Sequence, residues 1–313
     1  MVSETQAGDF TNKLLMAYFS PIFLTTFFFV SGYLFNSKRS FIETIEQRFR
    51  TIIIPFLIYG LLNIILSQII SFKKQKSLVN ELSDFFLQIR GNNDGLWFLA
   101  CLFVSTIPFY FIDKHINKNF LLLLSVLILI VNKIIALSPL PWHIQLIAPA
   151  VFYMTLGNLF KCYEDKFIFL NSFKSILFLF PVYFTGVTLY LKYFGQSVNF
   201  MTTNYIFDGI VITVTGIFLC ISISKQIKSY SKLLIFIGSN SLLYFCLHGK
   251  VYAIIQKIYH QIILLFEIDI SYSMYFIVGV GVTVLTCILL IIPVKFINEF
   301  FPWSVGKGFS FLR

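Results

Sequence analysis

The sequence predicts an all-α protein, a polytopic transmembrane helix bundle of about nine spans. Two observations carry this expectation. Hydrophobic residues make up 58% of the 313-residue chain, with 39 Phe, and charged residues only 12%, whereas ordinary soluble domains are about 25% charged. The mean hydropathy is correspondingly high, +0.83. The apolar residues also fall into runs of the ~20 residues that a helix needs to cross bilayer hydrocarbon, bounded by charged, Pro, Gly or Asn clusters.

Taken in order, the expected spans are 14-35, 51-71, 95-112, 119-137, 143-160, 170-191, 206-223, 233-252 and 273-295. The first is too long for a signal peptide. Glu4 and Asp9 stand where a basic n-region would be, and no A-x-A site follows, so this run is expected to stay in the membrane. The longest connection, roughly residues 72-94, is too short to fold alone. No fixed-period repeat or low-complexity linker divides the chain, so residues 1-313 read as a single integral-membrane domain whose chemistry lies in its helices and short loops.

Between Arg39 and Arg50 the apolar residues Phe41, Ile42, Ile45 and Phe49 share one helical face, and Glu43, Glu46, Gln47, Arg48 and Arg50 occupy the rest. This pattern predicts a short amphipathic helix near 39-50 on the inner membrane surface. Glu46 and Arg50 are four residues apart, so part of its charge is internally paired.

Nine spans place the termini on opposite sides. With the amino terminus outside, fourteen Lys and Arg fall on inner segments and eight on outer ones. The positive-inside rule therefore predicts an outer amino terminus and a cytoplasmic carboxyl terminus in a cell membrane. The net charge of +10 is thereby accounted for, and no nucleic-acid partner is implied. The five cysteines are odd in number, lie in apolar runs and show no CxxC spacing. They read as packing residues, with no disulfide framework and no metal site expected.

Only four histidines are present. His115 sits in a short basic inner loop and reads as solvated. His143 follows Pro-Leu-Pro-Trp and reads as a helix start near the head groups of the outer face, and His260 as lying outside the eighth span. His248 alone falls in or at the mouth of an apolar helix. An ionisable residue at that depth normally faces the bundle interior and marks a functional site. Ser241, Tyr244, His248 and Tyr252 recur every three or four residues and so share one face. A hydrogen-bonded helix contact is the structural alternative. In the outer loop "RGNNDGLWFL" (90-99), Asn93, Asp94 and Trp97 are residue types that hydrogen-bond and stack on sugars, although the same string makes a good turn with an interfacial Trp.

"FFFVSGYLF", a basic loop and "IIIPF", then "GLWFLACLF" (95-103), then "GSNSLLYFCLHG" (238-249) together resemble the acyltransferase 3 family of integral-membrane acyltransferases. "GLWFLACLF" is similar to the branch that includes fucose 4-O-acetylases. The resemblance implies acyl transfer from cytoplasmic acyl-CoA, most simply acetyl-CoA, to a hydroxyl of a cell-surface glycan or its lipid-linked precursor. It places Arg48 and Arg50, with Lys38 and Arg39, against the donor, and His248, Tyr244 and Ser241, with Asn240 as a further oxyanion donor, at the chemistry. Thr51 departs from the family, which commonly has a cation there. Relatives usually carry ten helices, the first ending in a Gly-His dipeptide whose histidine is considered catalytic, and this sequence starts at their second. That implies an upstream start or an impaired form. Two rivals remain: a transporter or flippase for a glycolipid or small acid, and a non-catalytic member that supports polysaccharide synthesis.

Overall fold

The structure, a computed structural model, describes residues 4-70, 77-88, 95-135, 140-199, 206-227, 231-266 and 272-308, and these contain helices and no strand. The chain divides into two compact units. One comprises Met1–Asn12, Ile42–Ala100 and Ser231–Arg313, the other Lys13–Phe41 and Cys101–Tyr230. Among the described residues, seven helices are long and apolar enough to cross a membrane, or eight if one sharply bent pair is a single span. The polytopic all-α bundle is therefore as expected; the differences from nine spans have local causes.

The second unit is built around α7 (Ile147–Cys162), reached through a 3-10 turn, Pro141–Leu146. This is the expected 143-160 span, but its 16 residues make only about 24 Å of helix, short of ~30 Å of hydrocarbon. It is almost wholly buried instead. Its partner α1 (Glu4–Tyr33) comes within backbone contact. A Cβ on Gly157 would lie 1.9 Å from Phe29 O, and one on Gly32 would lie 1.9 Å from Met154 O. Only glycine permits this approach, the small-residue contact typical of membrane helices. Around these pack α5 (Trp97–His115), α6 (Lys118–Ile135), α8 (Phe173–Phe194) and α9 (Ile206–Gln226). Lys133 and Lys174 lie in the end turns of α6 and α8.

Inner-side segments of the sequence reading meet at one end of this unit. Asp113, its side chain 1% exposed, is ion-paired with Lys118 and accepts a hydrogen bond from Ser37 Oγ at 2.6 Å. Lys118 also donates to Asn158 Oδ1 at 2.7 Å. Glu164 accepts from Tyr33 Oη at 2.9 Å and Lys225 Nζ at 3.1 Å. His115 is exposed as expected, stacked on Phe111. His143 is not at a head-group surface: it is 1% exposed. Trp142 and His143 turn left-handed, φ 56° and 53°, so no helix starts there. Leu140 N–H holds Gln145 Oε1, which turns Gln145 Nε2 to donate to His143 Nδ1 at 3.3 Å.

In the first unit, α2 (Phe41–Arg48) runs through a π turn, Phe49–Ile53, into α3 (Ile54–Ile70). The expected separate surface helix and the second span are one helix, Phe41–Gln68. Pro55 explains the π turn: it lacks an N–H and its ring crowds the carbonyl of Thr51, so the preceding turn widens rather than breaks. Inside the expected 72-94 loop lies α4 (Leu78–Leu87), capped by Ser77; its Phe85 ring covers Gly60 and stacks on Phe56, centroids 4.7 Å apart. The carboxyl-terminal part contributes α10 (Lys232–Ser239), α11 (Ser241–Phe266), α12 (Tyr272–Leu289) and α13 (Ile291–Phe300), then a 3-10 turn, Pro302–Val305.

Candidate functional site

The segment read as one span over 233-252 is broken. At Asn240 the axes of α10 and α11 bend by 89°. Gly238, Ser239 and Asn240 are weak helix formers, and the Asn240 side chain competes for the helix's own acceptors. Its Nδ2 donates to Phe236 O at 2.8 Å, while its Oδ1 accepts from Asn298 Nδ2 at 2.7 Å. Lys307 Nζ holds Asn298 Oδ1 at 2.8 Å, so α13 and the following residues pin the bend. Beyond it α11 continues to Phe266, which puts Lys250, Lys257 and His260 on the helix rather than in a loop.

His248 lies two turns into α11 and is exposed, not turned into the bundle interior as the sequence reading expected. Its Nδ1 is 2.8 Å from Phe245 O and 3.1 Å from Tyr244 O. Carbonyl oxygens only accept, so in the neutral form of the ring these contacts put the proton on Nδ1 and the lone pair on Nε2. The ring is thereby oriented by its own helix. Phe245 flanks it, ring centroids 6.1 Å apart, and Phe245 in turn meets Phe98 edge-on at 5.7 Å. Gly95 leaves room for the Phe245 ring, 3.4 Å from where a Cβ would be. The first turn of α5, which carries Trp97, is thus joined to the His248 turn by two phenylalanines.

The other expected residues divide. Tyr244 is buried and donates its hydroxyl to Cys287 O of α12 at 3.1 Å, so it ties two helices together. Ser241 opens α11 and is half-buried, as is Trp97. Asn93 and Asp94 lie outside the described residues. Arg50 is ion-paired with Glu46, as the spacing predicted, and Arg48 ends α2 half-buried. Gly306 lies against the π turn. Its φ is +74° and a Cβ there would be 2.7 Å from Arg50 O, two independent demands for glycine. Tyr59 and Ser304, hydroxyls 2.7 Å apart, fasten the same junction. Lys38 and Arg39 are exposed in the turn before α2, where Arg39 O accepts from Tyr110 Oη at 3.3 Å. Among the described residues no group of His, Cys, Asp and Glu is placed to hold a metal ion.

A family model described as an acyltransferase domain matches residues 3–292, a stretch that runs through both units and includes the His248 helix but ends before Asn298, Ser304, Gly306 and Lys307. The chain belongs to the acyltransferase 3 family. No curated protein and no solved structure matches it. Acyltransferase 3 membership makes it a membrane acyltransferase in class.

Sequence reasoning missed the polar row on α3. Tyr59, Asn63 and Ser67 are four residues apart and face partners throughout: Ser304, Cys246 O (3.0 Å from Asn63 Nδ2) and Lys250 Nζ, which donates to Ser67 Oγ. Their i, i+4, i+8 spacing was visible in the sequence. The Phe98–Phe245 contact was not, because it joins residues far apart in the chain.

Proposed function

We propose that the protein is a membrane-bound O-acyltransferase that moves an acyl group, most simply acetyl, from cytoplasmic acyl-CoA to a hydroxyl of a cell-surface glycan or its lipid-linked precursor. Beyond family membership, the observation that supports this reading is the contact of His248 Nδ1 with Phe245 O and Tyr244 O at 2.8 and 3.1 Å, with the side chain exposed. A sugar hydroxyl is a poor nucleophile at neutral pH, and a neutral imidazole with an available Nε2 is the group to accept its proton. As the O–H proton moves to Nε2, the oxygen attacks the thioester carbonyl. The C–O bond forms, the C–S bond breaks, and the departing CoA thiolate takes the proton back from the imidazolium. The intermediate oxyanion needs hydrogen-bond donors, for which Ser241 and Asn240 are the nearest in sequence on the same motif.

In this reading Arg48 and Arg50, with Lys38 and Arg39, hold donor phosphates, for which guanidinium forks are well suited. Trp97, with Asn93 and Asp94, lines the acceptor side. The amino terminus is outside and the carboxyl terminus cytoplasmic, as the lysine and arginine distribution favours. The test is acyl-CoA-dependent labelling of glycan by purified protein in vesicles. Arg48→Ala combined with Arg50→Ala should raise KM for the donor with little change in kcat; an unchanged KM would leave these cations to membrane lipids.

A second reading has one observation in its favour. The 89° break at Asn240, with Lys250 on the helix beyond it, is the kind of discontinuous helix that transporters use. Movement of a labelled glycolipid across vesicles without any acyl-CoA-dependent product would select it.

A further inference from the structure

The second unit contains a cavity of about 410 Å³ that no step of the proposed reaction uses. Phe29 of α1, Leu156 and Phe160 of α7, and Ile217 and Phe218 of α9 make its walls. Its polar lining is confined to one end, where Lys118 and Asn119 begin α6 and Tyr163 follows α7. Apolar walls with convergent polar groups at a single end are the shape of a site for an amphiphile.

Among the described residues, cations outnumber acids at that end, four to three. Lys118 donates to Asp113 and Asn158, and an ammonium has a third N–H to give. Lys166 Nζ stands 4.8 Å from the Tyr163 ring centroid, and Lys225 Nζ 5.9 Å from that of Phe160, a wall residue. Lys161, which donates to Phe35 O at 3.1 Å, adds a fourth cation. The acids facing them are Asp113, Glu164 and Asp165. Asp113 already serves Ser37 and Lys118, and Glu164 serves Tyr33 and Lys225.

The approach to the cavity is equally defined. α1, α6 and α9 are all among the helices able to cross a membrane, and α6 leaves Phe120, Leu123, Leu127 and Val131 exposed along one face. This side of the unit is thus suited to face hydrocarbon, where lipid acyl chains already lie.

We propose that this cavity holds one acyl chain of an anionic membrane phospholipid, with the lipid phosphate against Lys118 and Lys166. The proposal is independent of the transfer reaction. It makes the lipid a resident of the fold that fills the gap between α1, α7 and α9.

The test uses the full chain in mild detergent and native mass spectrometry. Phosphatidylglycerol, phosphatidylcholine with the same chains, and palmitoyl-CoA as a soluble source of the same chemistry are added separately and in competition. One phosphatidylglycerol should be retained, with a several-fold preference over phosphatidylcholine. Lys166→Gln, at an exposed position, should reduce that preference without changing helicity, and Val214→Trp should abolish retention by filling the cavity. Because the tryptophan variant risks misfolding, a photoactivatable phosphatidylglycerol is also cross-linked to the unmodified protein. Adducts on 118–122, 156–163 or 214–218 support the proposal. Adducts elsewhere, equal retention of the zwitterionic lipid, or displacement of phosphatidylglycerol by palmitoyl-CoA at equal concentration would overturn it.

Discussion

The two units pack by different means. In the unit built on α7, helices touch backbone to backbone: Gly157 faces Phe29 O and Gly32 faces Met154 O at distances no side chain would tolerate. In the unit that carries His248, Gly60 and Gly95 meet rings instead, and the close backbone contact is made at a turn, by Gly306 against Arg50 O. Phe85 covers Gly60, and Phe245 lies beside Gly95. A backbone contact cannot yield without separating two helices, whereas a ring can rotate away. The first arrangement suits a scaffold that links its polar groups in sets such as Ser37–Asp113–Lys118–Asn158. The second suits a region where one side chain, His248, remains exposed.

The most severe way to break this contrast is Gly157→Ala. The new methyl would sit 1.9 Å from Phe29 O, and relief requires α1 and α7 to part, at a cost of about 3 kcal/mol or more. Gly95→Ala meets only the edge of the Phe245 ring at 3.4 Å and should cost less than about 1 kcal/mol. Thermal unfolding in detergent compares them. Equal midpoints for the two variants would erase the distinction between the units.

How much of this was legible follows from the same contrast. The fold class was, because 58% hydrophobic residues in repeated long runs have few other solutions. The register of individual helices was readable except where one residue redirects the backbone. Pro55 widened a turn that looked like a loop, Asn240 bent a run that looked continuous, and Trp142 and His143 took a left-handed conformation that composition does not announce in non-glycine residues. Arg50 with Glu46 followed directly from spacing. The exposure of His248 and the use of Tyr244 as a tie to Cys287 O did not, because periodicity identifies a shared face but not what packs against it. Phe98 and Phe245 both sat inside quoted motifs, yet only the fold shows that they meet.

A smaller perturbation sharpens the comparison within the His248 unit. If His248 is the base, His248→Gln should lower acyl transfer by roughly 10²- to 10⁴-fold and leave the thermal midpoint unchanged, since the ring is exposed. Tyr244→Phe should behave oppositely. It removes the hydrogen bond to Cys287 O, worth about 1 kcal/mol of stability, while activity of the folded fraction persists. Measuring kcat beside the unfolding midpoint for both variants decides the matter, and the inverse pattern would move the catalytic role to Tyr244.

The smallest expected effect probes the linked polar sets of the other unit. Glu164 accepts from Tyr33 Oη and Lys225 Nζ. The Tyr33 hydroxyl first, then the Lys225 ammonium, hold its carboxyl below the usual carboxylate range against a modest opposing effect of burial. A depressed folded value means that the folded state releases this proton more readily than the unfolded chain does. The resulting stability is fully present above the unfolded value, about 4.3 for glutamate, and is lost as pH falls through the lower folded value. Because the Glu164 side chain is 39% exposed, solvent screens the pair and its worth stays under about 1 kcal/mol. Glu164→Gln should therefore melt slightly earlier than the unmodified chain at pH 7, and the gap should close as pH drops below about 4. A gap that persists unchanged at acid pH would mean that the glutamine disturbs the packing of the 3-10 segment Glu164–Asn171 around Leu170, rather than that an ionised carboxylate joins α1 to α9.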